Sequence, residues 1–421
     1  MITRIEALNY RCLRHVAQDL GPFHILVGPN ASGKSSFLDV PGLMRDLVRD
    51  GRQDIGDVIS SRAPNYQDLV WQHKGERFEL AIEAAIPESL REHLTGGQTT
   101  CRYDLGIGSA SPNGELGVYK EHLTLMPPPS QQEREEAQQQ PSLGVVEIIP
   151  GGEASRHLAV ICREQRGSRD ETVFRTEVPP DKPPAFDLLT FSLSSRTCAL
   201  ANLPLDQNLF PVATWFGQFL VDRVRSVALA SKAMREPSPP NARRAFMPDG
   251  SSVPWLVDQL APRDYEQWLA HLRTELPNLA GIRSVERPED RHRYLKLKYE
   301  GGLEVPSWVV SDGTLEMLAL TLLPYLPDKE ATYLVEEPEN CIHPTAIEAV
   351  VESLASVCDG QVLLATHSPV VLGLADLEQV LCFSRTEADG TRITPGTHHR
   401  VLRNWRGEVG LDVLFASGVL G

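Results

Sequence analysis

The sequence predicts an α/β fold: a mostly parallel sheet built from both chain ends, with an antiparallel β lobe and a helical insertion between. Three observations carry this. Near the N-terminus an apolar run, Phe23-His24-Ile25-Leu26-Val27, leads into the glycine-containing turn 28–35 and then into helical periodicity over 36–48. After residue 300 short apolar strands alternate with helical stretches, the pattern of a parallel sheet covered on both faces. Between about 70 and 180 lie several short alternating runs with little helix among them, which reads as an antiparallel sheet.

In chain order, residues 2–8 alternate apolar and polar side chains as a half-buried strand does, followed by Asn9-Tyr10-Arg11 and a turn at Gly21-Pro22. These belong to the first part of the sheet-bearing head, 1–69. The β-rich lobe, 70–210, takes strands at 78–83, 101–107, 145–149 and 172–178. Its Pro-, Gln- and Glu-rich run near 127–141 lacks the apolar area to offset its ordering entropy and reads as a flexible loop. The helical insertion, 211–300, opens with Trp215, Phe216, Phe219, Leu220, Val224 and Val227 near one helix face, an aromatic stripe that reads as core. A second helix spans 263–276, before Pro277. Arg283, Arg287, Arg291, Arg293, Lys296 and Lys298 form the most basic stretch and read as a solvated strand-and-loop edge. The head resumes over 301–421 with strands at 331–335, 361–365 and 380–383 and a helix over 344–358.

The 421 residues suffice for two or three domains. A net charge of −15 argues against a surface that binds nucleic acid everywhere, though not against a local basic face. Seven scattered cysteines without a C-x-x-C pair read as free thiols in a reducing compartment, not as a disulfide framework or zinc site. No signal pattern opens the chain, and no apolar run approaches the ~20 residues of a membrane span. The expectation is a cytoplasmic protein without membrane attachment.

Four stretches carry chemistry. Gly28-Pro29-Asn30-Ala31-Ser32-Gly33-Lys34-Ser35 matches the Walker A pattern G-x-x-x-x-G-K-S/T. Its glycines let successive N–H groups converge on an anion, the following helix adds its N-terminal dipole, Lys34 reaches the β- and γ-phosphates, and the Ser35 hydroxyl takes a place on Mg²⁺. Tyr333-Leu334-Val335-Glu336-Glu337 is an apolar strand ending in two carboxylates, the Walker B arrangement: Glu336 for the metal, Glu337 to orient or deprotonate the attacking water. Ala365-Thr366-His367-Ser368-Pro369 ends a strand in a histidine that sheet order brings beside Walker B, where it senses the γ-phosphate. Ser311-Asp312-Gly313-Thr314 opens an apolar helix and by itself reads as an N-cap.

In this order the motifs resemble the ABC-type P-loop ATPases of the SMC, RecF and OLD group. Asn9-Tyr10-Arg11 is similar to that group's Asn-aromatic-Arg turn, 28–35 to its usual loop, 311–314 to its ABC signature, and 336–340, running on to His343-Pro344, to its Walker B and D-loop. Thr366-His367-Ser368-Pro369 resembles its switch-histidine loop, and 247–252 a Pro-Asp-Gly-Ser turn in a subgroup of single-chain predicted ATPases. The resemblance implies an ATPase whose cofactors are ATP and Mg²⁺. It adds Ser36 and Arg11 to the nucleotide-binding set, and places Lys34, Glu337 and His367 in catalysis and Ser35 and Glu336 on the metal. Two copies would pair head to tail, Ser311, Asp312 and Gly313 of one facing the ATP on the other. Two departures stand out: Glu336 occupies a position that is usually Asp, and the Q-loop glutamine is not fixed, Gln67 and Gln72 being weak matches. About 275 residues without heptads separate P-loop and signature, unlike a long coiled-coil SMC protein. About fifty residues follow His367, too few for the nuclease domain fused to OLD proteins.

The resulting expectation is an ATP-hydrolysing switch in DNA repair or anti-phage defence. It would work as a homodimer or higher oligomer with nucleic acid or a separately encoded effector such as a nuclease. Two alternatives stand beside it. One is a non-hydrolysing nucleotide sensor or scaffold, which an intact Glu337 and His367 disfavour. The other is a transporter motor subunit, disfavoured by the long insertion.

Overall fold

A computed structural model describes residues 1–49, 54–92, 94, 96–109, 115–128, 157–164, 171–177, 188–204, 208–340, 342–386, 388–402, 411 and 413. Its strands are β1 (Ile2–Tyr10), β2 (Leu13–Asp19), β3 (Phe23–Val27), β4 (Arg77–Ala85), β5 (Thr100–Ser109), β6 (Leu116–Met126), β7 (Leu158–Glu164), β8 (Glu171–Arg175) and β9 (Leu188–Ser192). Then come β10 (Val224–Val227), β11 (Leu279–Glu286), β12 (Arg293–Tyr299), β13 (Glu304–Pro306), β14 (Thr332–Glu336), β15 (Gln361–Ala365), β16 (Val380–Thr386) and β17 (Gly390–Pro395). The chain divides into two compact units, one of 1–21, 30–224 and 384–393, the other of 22–29, 225–383 and 394–421.

The first unit is organised on an antiparallel sheet in the order β2-β1-β4-β5-β6-β7-β8-β9. Alternation decides its faces. Phe78, Leu80, Ile82 and Ala84 on β4 and Cys101, Tyr103, Leu105 and Ile107 on β5 are all buried. The intervening positions hold a charge cluster. Arg102, opposite Glu83 in register, donates to Glu83 (2.7 Å), Glu6 (2.8 Å) and Asp104 (2.8 Å), so a buried guanidinium meets three carboxylates. The helix Lys34–Arg49 buries Phe37, Leu38, Val40, Leu43, Met44 and Leu47. The strand expected at 145–149 and most of the loop near 127–141 lie outside the described residues.

The helical reading of the stripe from Trp215 to Val227 needs correction. The helix Pro211–Gln218 passes into a single π-helical turn, Phe219–Arg223, and Val224–Val227 is a strand. Phe216, Phe219, Leu220, Val224 and Val227 are still buried, so the apolar stripe is core as read, but its C-terminal part packs as β. Val-Arg-Ser-Val suits an edge strand better than a helix, and sheet pairing overrides the helical period.

The second unit carries most of a six-stranded sheet, β10-β14-β15-β3-β16-β17, in which β14, β15, β3 and β16 pair in parallel. These strands are nearly continuous apolar runs, as burial on both faces requires. The helices Asp312–Leu322 and Pro344–Ala355 contribute to the same core. A three-stranded antiparallel sheet, β11-β12-β13, bears the basic stretch. Five of its six cations are matched locally: Arg283 and Lys296 to Glu304 (2.8 and 2.7 Å), Arg287 to Asp290 (2.9 Å), Arg293 to Asp258 (2.5 Å) and Arg291 to Glu286 (3.2 Å). Among the described residues no helix is long and apolar enough to cross a membrane.

In the first unit Glu177 makes a testable electrostatic constraint. Its carboxylate accepts from the backbone N–H groups of Val212 (2.6 Å) and Ala213 (2.7 Å) at the start of the helix Pro211–Gln218. Burial nevertheless dominates and pushes its carboxyl up to about 7. The folded state therefore holds this proton more tightly than the unfolded chain. The associated stability is fully present below the ordinary glutamate range and is lost as pH rises through 7. Thermal unfolding of wild type against Glu177→Gln should show the variant, permanently neutral, gaining up to about 3 kcal/mol relative to wild type between pH 4.5 and 8.

Candidate nucleotide-binding site

The turn after β3 is shaped by two glycines with no room for a side chain. Gly28 has φ +151°, and a Cβ there would sit 2.2 Å from the Phe383 carbonyl oxygen. Gly33 has φ +109°, and its Cβ would meet the Thr391 Oγ1 at 2.3 Å and the Cys12 Sγ at 3.1 Å. Between them Ala31 takes the left-handed conformation, φ +60°. In the first unit the loop is braced from outside: Thr391 Oγ1 donates to the Ser32 carbonyl (2.8 Å, buried), and Arg385 Nη1 to the Ala31 carbonyl (3.3 Å). The Phe37 N–H donates to the Gly33 carbonyl (2.9 Å) as the helix begins. Pro29, Asn30, Ala31 and Ser35 are exposed, Ser36 is half-buried, and Lys34 is buried. The Ser32 Oγ is buried without a hydrogen-bond partner, leaving a donor available to a bound group.

Arg11, in the left-handed region at φ +50°, pairs with Asp39 at 3.2 Å, on the second turn of the helix Lys34–Arg49. Asp39 also accepts from Tyr10 and Arg62, and Arg62 reaches Asp46 at 2.7 Å. Arg11 thus stands on the helix that the loop feeds. Of the two glutamines considered for the Q-loop, Gln72 is left-handed (φ +49°) and accepts from Lys74, whereas Gln67 N–H is capped by Asn65.

The carboxylate and histidine motifs meet in the second unit. Parallel pairing sets Glu336 opposite Ala365 and Ala365 opposite Leu26, so β14, β15 and β3 end at the same sheet edge. The chain leaves β3 there to form the glycine turn. Glu336 is the exposed end of an otherwise buried strand. Glu337 turns the chain with φ +47°, and its N–H donates to the Ala365 carbonyl (2.7 Å). A non-glycine residue there costs on the order of 1 kcal/mol or more, and holding it marks a constrained position. Asn340 Nδ2 donates to Glu337 Oε2 (2.6 Å), and Glu337 Oε1 lies 3.7 Å from His367 Nε2. Glu339 Oε1 accepts from Thr366 Oγ1 (2.6 Å) and from the His367 N–H (3.0 Å).

Ser311 caps the helix Asp312–Leu322, its Oγ accepting from the Thr314 N–H (3.3 Å). Asp312 forms an ion pair with Arg235, which also donates to the Val310 carbonyl (2.8 Å). Ser311 and Asp312 are exposed and Gly313 half-buried. The 247–252 segment is a tight turn in which Gly250 takes φ +77° and Ser252 Oγ accepts from the Met247 N–H (2.9 Å).

Residues 189–373 match the family model described as "AAA domain, putative AbiEii toxin, Type IV TA system". That span holds the signature, Walker B and histidine stretches. Among solved structures, an SmcHead bound to the C-winged helix domain of ScpA aligns over 93% of this chain and 96% of its own, with a TM-score of 0.51 at 14% identity. The chain has the fold of an SMC head, and its residues 189–373 are similar to that AAA family. Two further heads align at lower scores. The SMC head domain from Thermotoga maritima covers 94% and 98% of the two chains (TM-score 0.41, 11% identity). The Smc head with an extended coiled coil bound to the C-terminal domain of ScpA, from Pyrococcus furiosus, covers 93% and 95% (TM-score 0.45, 13% identity). No curated protein matches the sequence.

In this fold the sequence motifs supply the strand-end residues, but not the groups that hold them. Thr391 and Arg385 brace the loop from more than 350 positions away, and Asn340 and Glu339 hold Glu337 and the histidine loop. Asn340 and Glu339 were within reach of inspection, because both fall inside the Walker B run. Thr391 carries no local signal. Thr391→Val should keep the fold and weaken binding of a fluorescent ATP analogue about 5- to 10-fold, the loss of one buried hydrogen bond. Gly33→Ala should abolish binding in the same titration, because the Cβ has nowhere to go.

Proposed function

We propose that the chain binds ATP with Mg²⁺ and hydrolyses it as a molecular switch. The carrying observation is the convergence of Glu336, Glu337 and His367 at the sheet edge from which β3 enters the glycine turn. Lys34 and the N–H groups of 28–35 would hold the phosphates, with Ser36 and Arg11 adding contacts. Ser35, exposed at the helix start, and Glu336, exposed at the strand end, are hard oxygen donors that suit Mg²⁺. Among the described residues no cluster of three or more His, Cys, Asp or Glu stands ready to hold a metal alone. That fits an ion completing its shell with phosphate oxygens and water. Bound there, Mg²⁺ would screen charge on the phosphates.

In this reading Glu337 orients and deprotonates the attacking water, its carboxylate steadied by Asn340, while His367 donates to the γ-phosphate and registers its loss. Ser311, Asp312 and Gly313 would close the site on a second copy, making a homodimer or higher oligomer that ATP assembles and hydrolysis releases. Segments 1–69 and 301–421 form the head in this scheme, with 70–210 and 211–300 as its insertions. A separately encoded effector protein is favoured as partner. The basic stretch 283–298 is largely neutralised by its own acids, which weakens it as a nucleic-acid surface, and the SmcHead structure contains a separate protein domain bound to such a head. DNA repair and anti-phage defence, in the cytoplasm, are the settings proposed.

Glu337→Gln should reduce phosphate release by at least about 100-fold while leaving ATP-analogue binding intact. Lys34→Ala should lose binding itself. Unchanged turnover in Glu337→Gln would exclude the catalytic role. Basal turnover absent from wild type with tight binding retained would favour the sensor reading.

A further inference from the structure

We infer that Glu339 is a positioning residue, a clamp that fixes His367 relative to Glu337. The inference rests on the proposed roles of those two residues and assigns how their separation is set. Glu339 Oε1 accepts two hydrogen bonds from the histidine loop, from Thr366 Oγ1 at 2.6 Å and from the His367 N–H at 3.0 Å. Thr366 is itself fully buried. Its N–H donates to the Leu26 carbonyl of β3 (3.1 Å), and its hydroxyl oxygen accepts from the Ser368 N–H (2.9 Å). One carboxylate oxygen therefore ties the Walker B turn to the backbone that carries the histidine, and through Thr366 to the strand that launches the P-loop.

The neighbouring residue completes the device. Asn340 Nδ2 donates to Glu337 Oε2 (2.6 Å), and the Asn340 N–H donates to the Glu337 carbonyl (3.0 Å). Consecutive residues thus grip the two groups in question, Glu339 the His367 backbone and Asn340 the Glu337 side chain. The 3.7 Å between Glu337 Oε1 and His367 Nε2 is the dimension they set together.

A plain turn-stabilising role would not account for the second oxygen. Glu339 Oε2 is buried with no hydrogen-bond partner. A buried acceptor left unsatisfied is costly, so a side chain serving only local packing is better replaced by an apolar one. Keeping a carboxylate there is explained if its other oxygen must hold two donors at once, one of them the His367 amide.

The test compares Glu339→Ala, Glu339→Gln and Thr366→Val with wild type and Glu337→Gln in phosphate release, ATP-analogue binding and thermal unfolding. Glu339→Gln keeps one acceptor oxygen for both donors and should stay within about threefold of wild-type kcat. Glu339→Ala frees the histidine loop and should lower kcat roughly 10- to 100-fold, with KM and analogue affinity within twofold, the signature of misplaced rather than missing groups. Thr366→Val removes one of the two donors while preserving shape. It should show a smaller fall of the same kind, and it decides the matter if Glu339→Ala does not fold. Wild-type kcat in Glu339→Ala, or kcat, affinity and Tm falling together in all three variants, would overturn the clamp. If Glu337→Gln itself turns over normally, the hydrolytic reading falls, and the clamp with it. If Glu337→Gln is inactive and Glu339→Ala is not impaired, the clamp alone falls.

Discussion

The structure depends on one pairing: β15 lies between β14 and β3, parallel to both and in register with both. Parallel register is what makes strand ends coincide. Glu336 stands opposite Ala365 and Ala365 opposite Leu26, so a residue just past any of these strands emerges at the same edge. The apolar burial of all three strands fixes that register, because each is enclosed on both faces. Chemistry at the edge is then a matter of the residues just beyond each strand: a glycine turn after β3, a carboxylate after β14, a histidine after β15.

The turns at these strand ends are held by tertiary hydrogen bonds, from backbone and side chains alike. Glu337 sits in the left-handed region, and its backbone is retained by the bond to Ala365. The glycine turn is likewise retained by residues outside itself, Thr391 and Arg385. Loops at the ends of parallel strands have few backbone partners of their own, so tertiary hydrogen bonds supply the order that function needs.

Much of this was legible in the sequence, for identifiable reasons. The strand-turn-helix around 28–35 combines a short apolar run, glycines and a helical period, and the structure keeps all three. The strands at 331–335 and 361–365 are found within a residue or two, because apolar runs bounded by turn residues are unambiguous when buried on both faces. The π-helical turn at Phe219–Arg223 and the strand after it were not legible. An apolar stripe with helical spacing says which residues are buried, not where a sheet edge will capture them. The grip of Glu339 on the histidine loop was equally hidden, since it depends on a neighbour 27 and 28 positions away in the chain.

The bracing of the glycine turn also bears on the order in which the chain is made. The loop leaves the ribosome ahead of its braces: the Thr391 hydroxyl that holds the Ser32 carbonyl comes 359 residues later, and β3 gains its neighbours only when 361–365 and 380–386 have been synthesised. Until then β3 lacks both flanking strands, and long-range parallel pairings of this kind form slowly. A nascent chain therefore carries the glycine turn through the synthesis of about 350 further residues without being able to shape it. The shape of the turn waits on the later-made strands rather than on the loop itself.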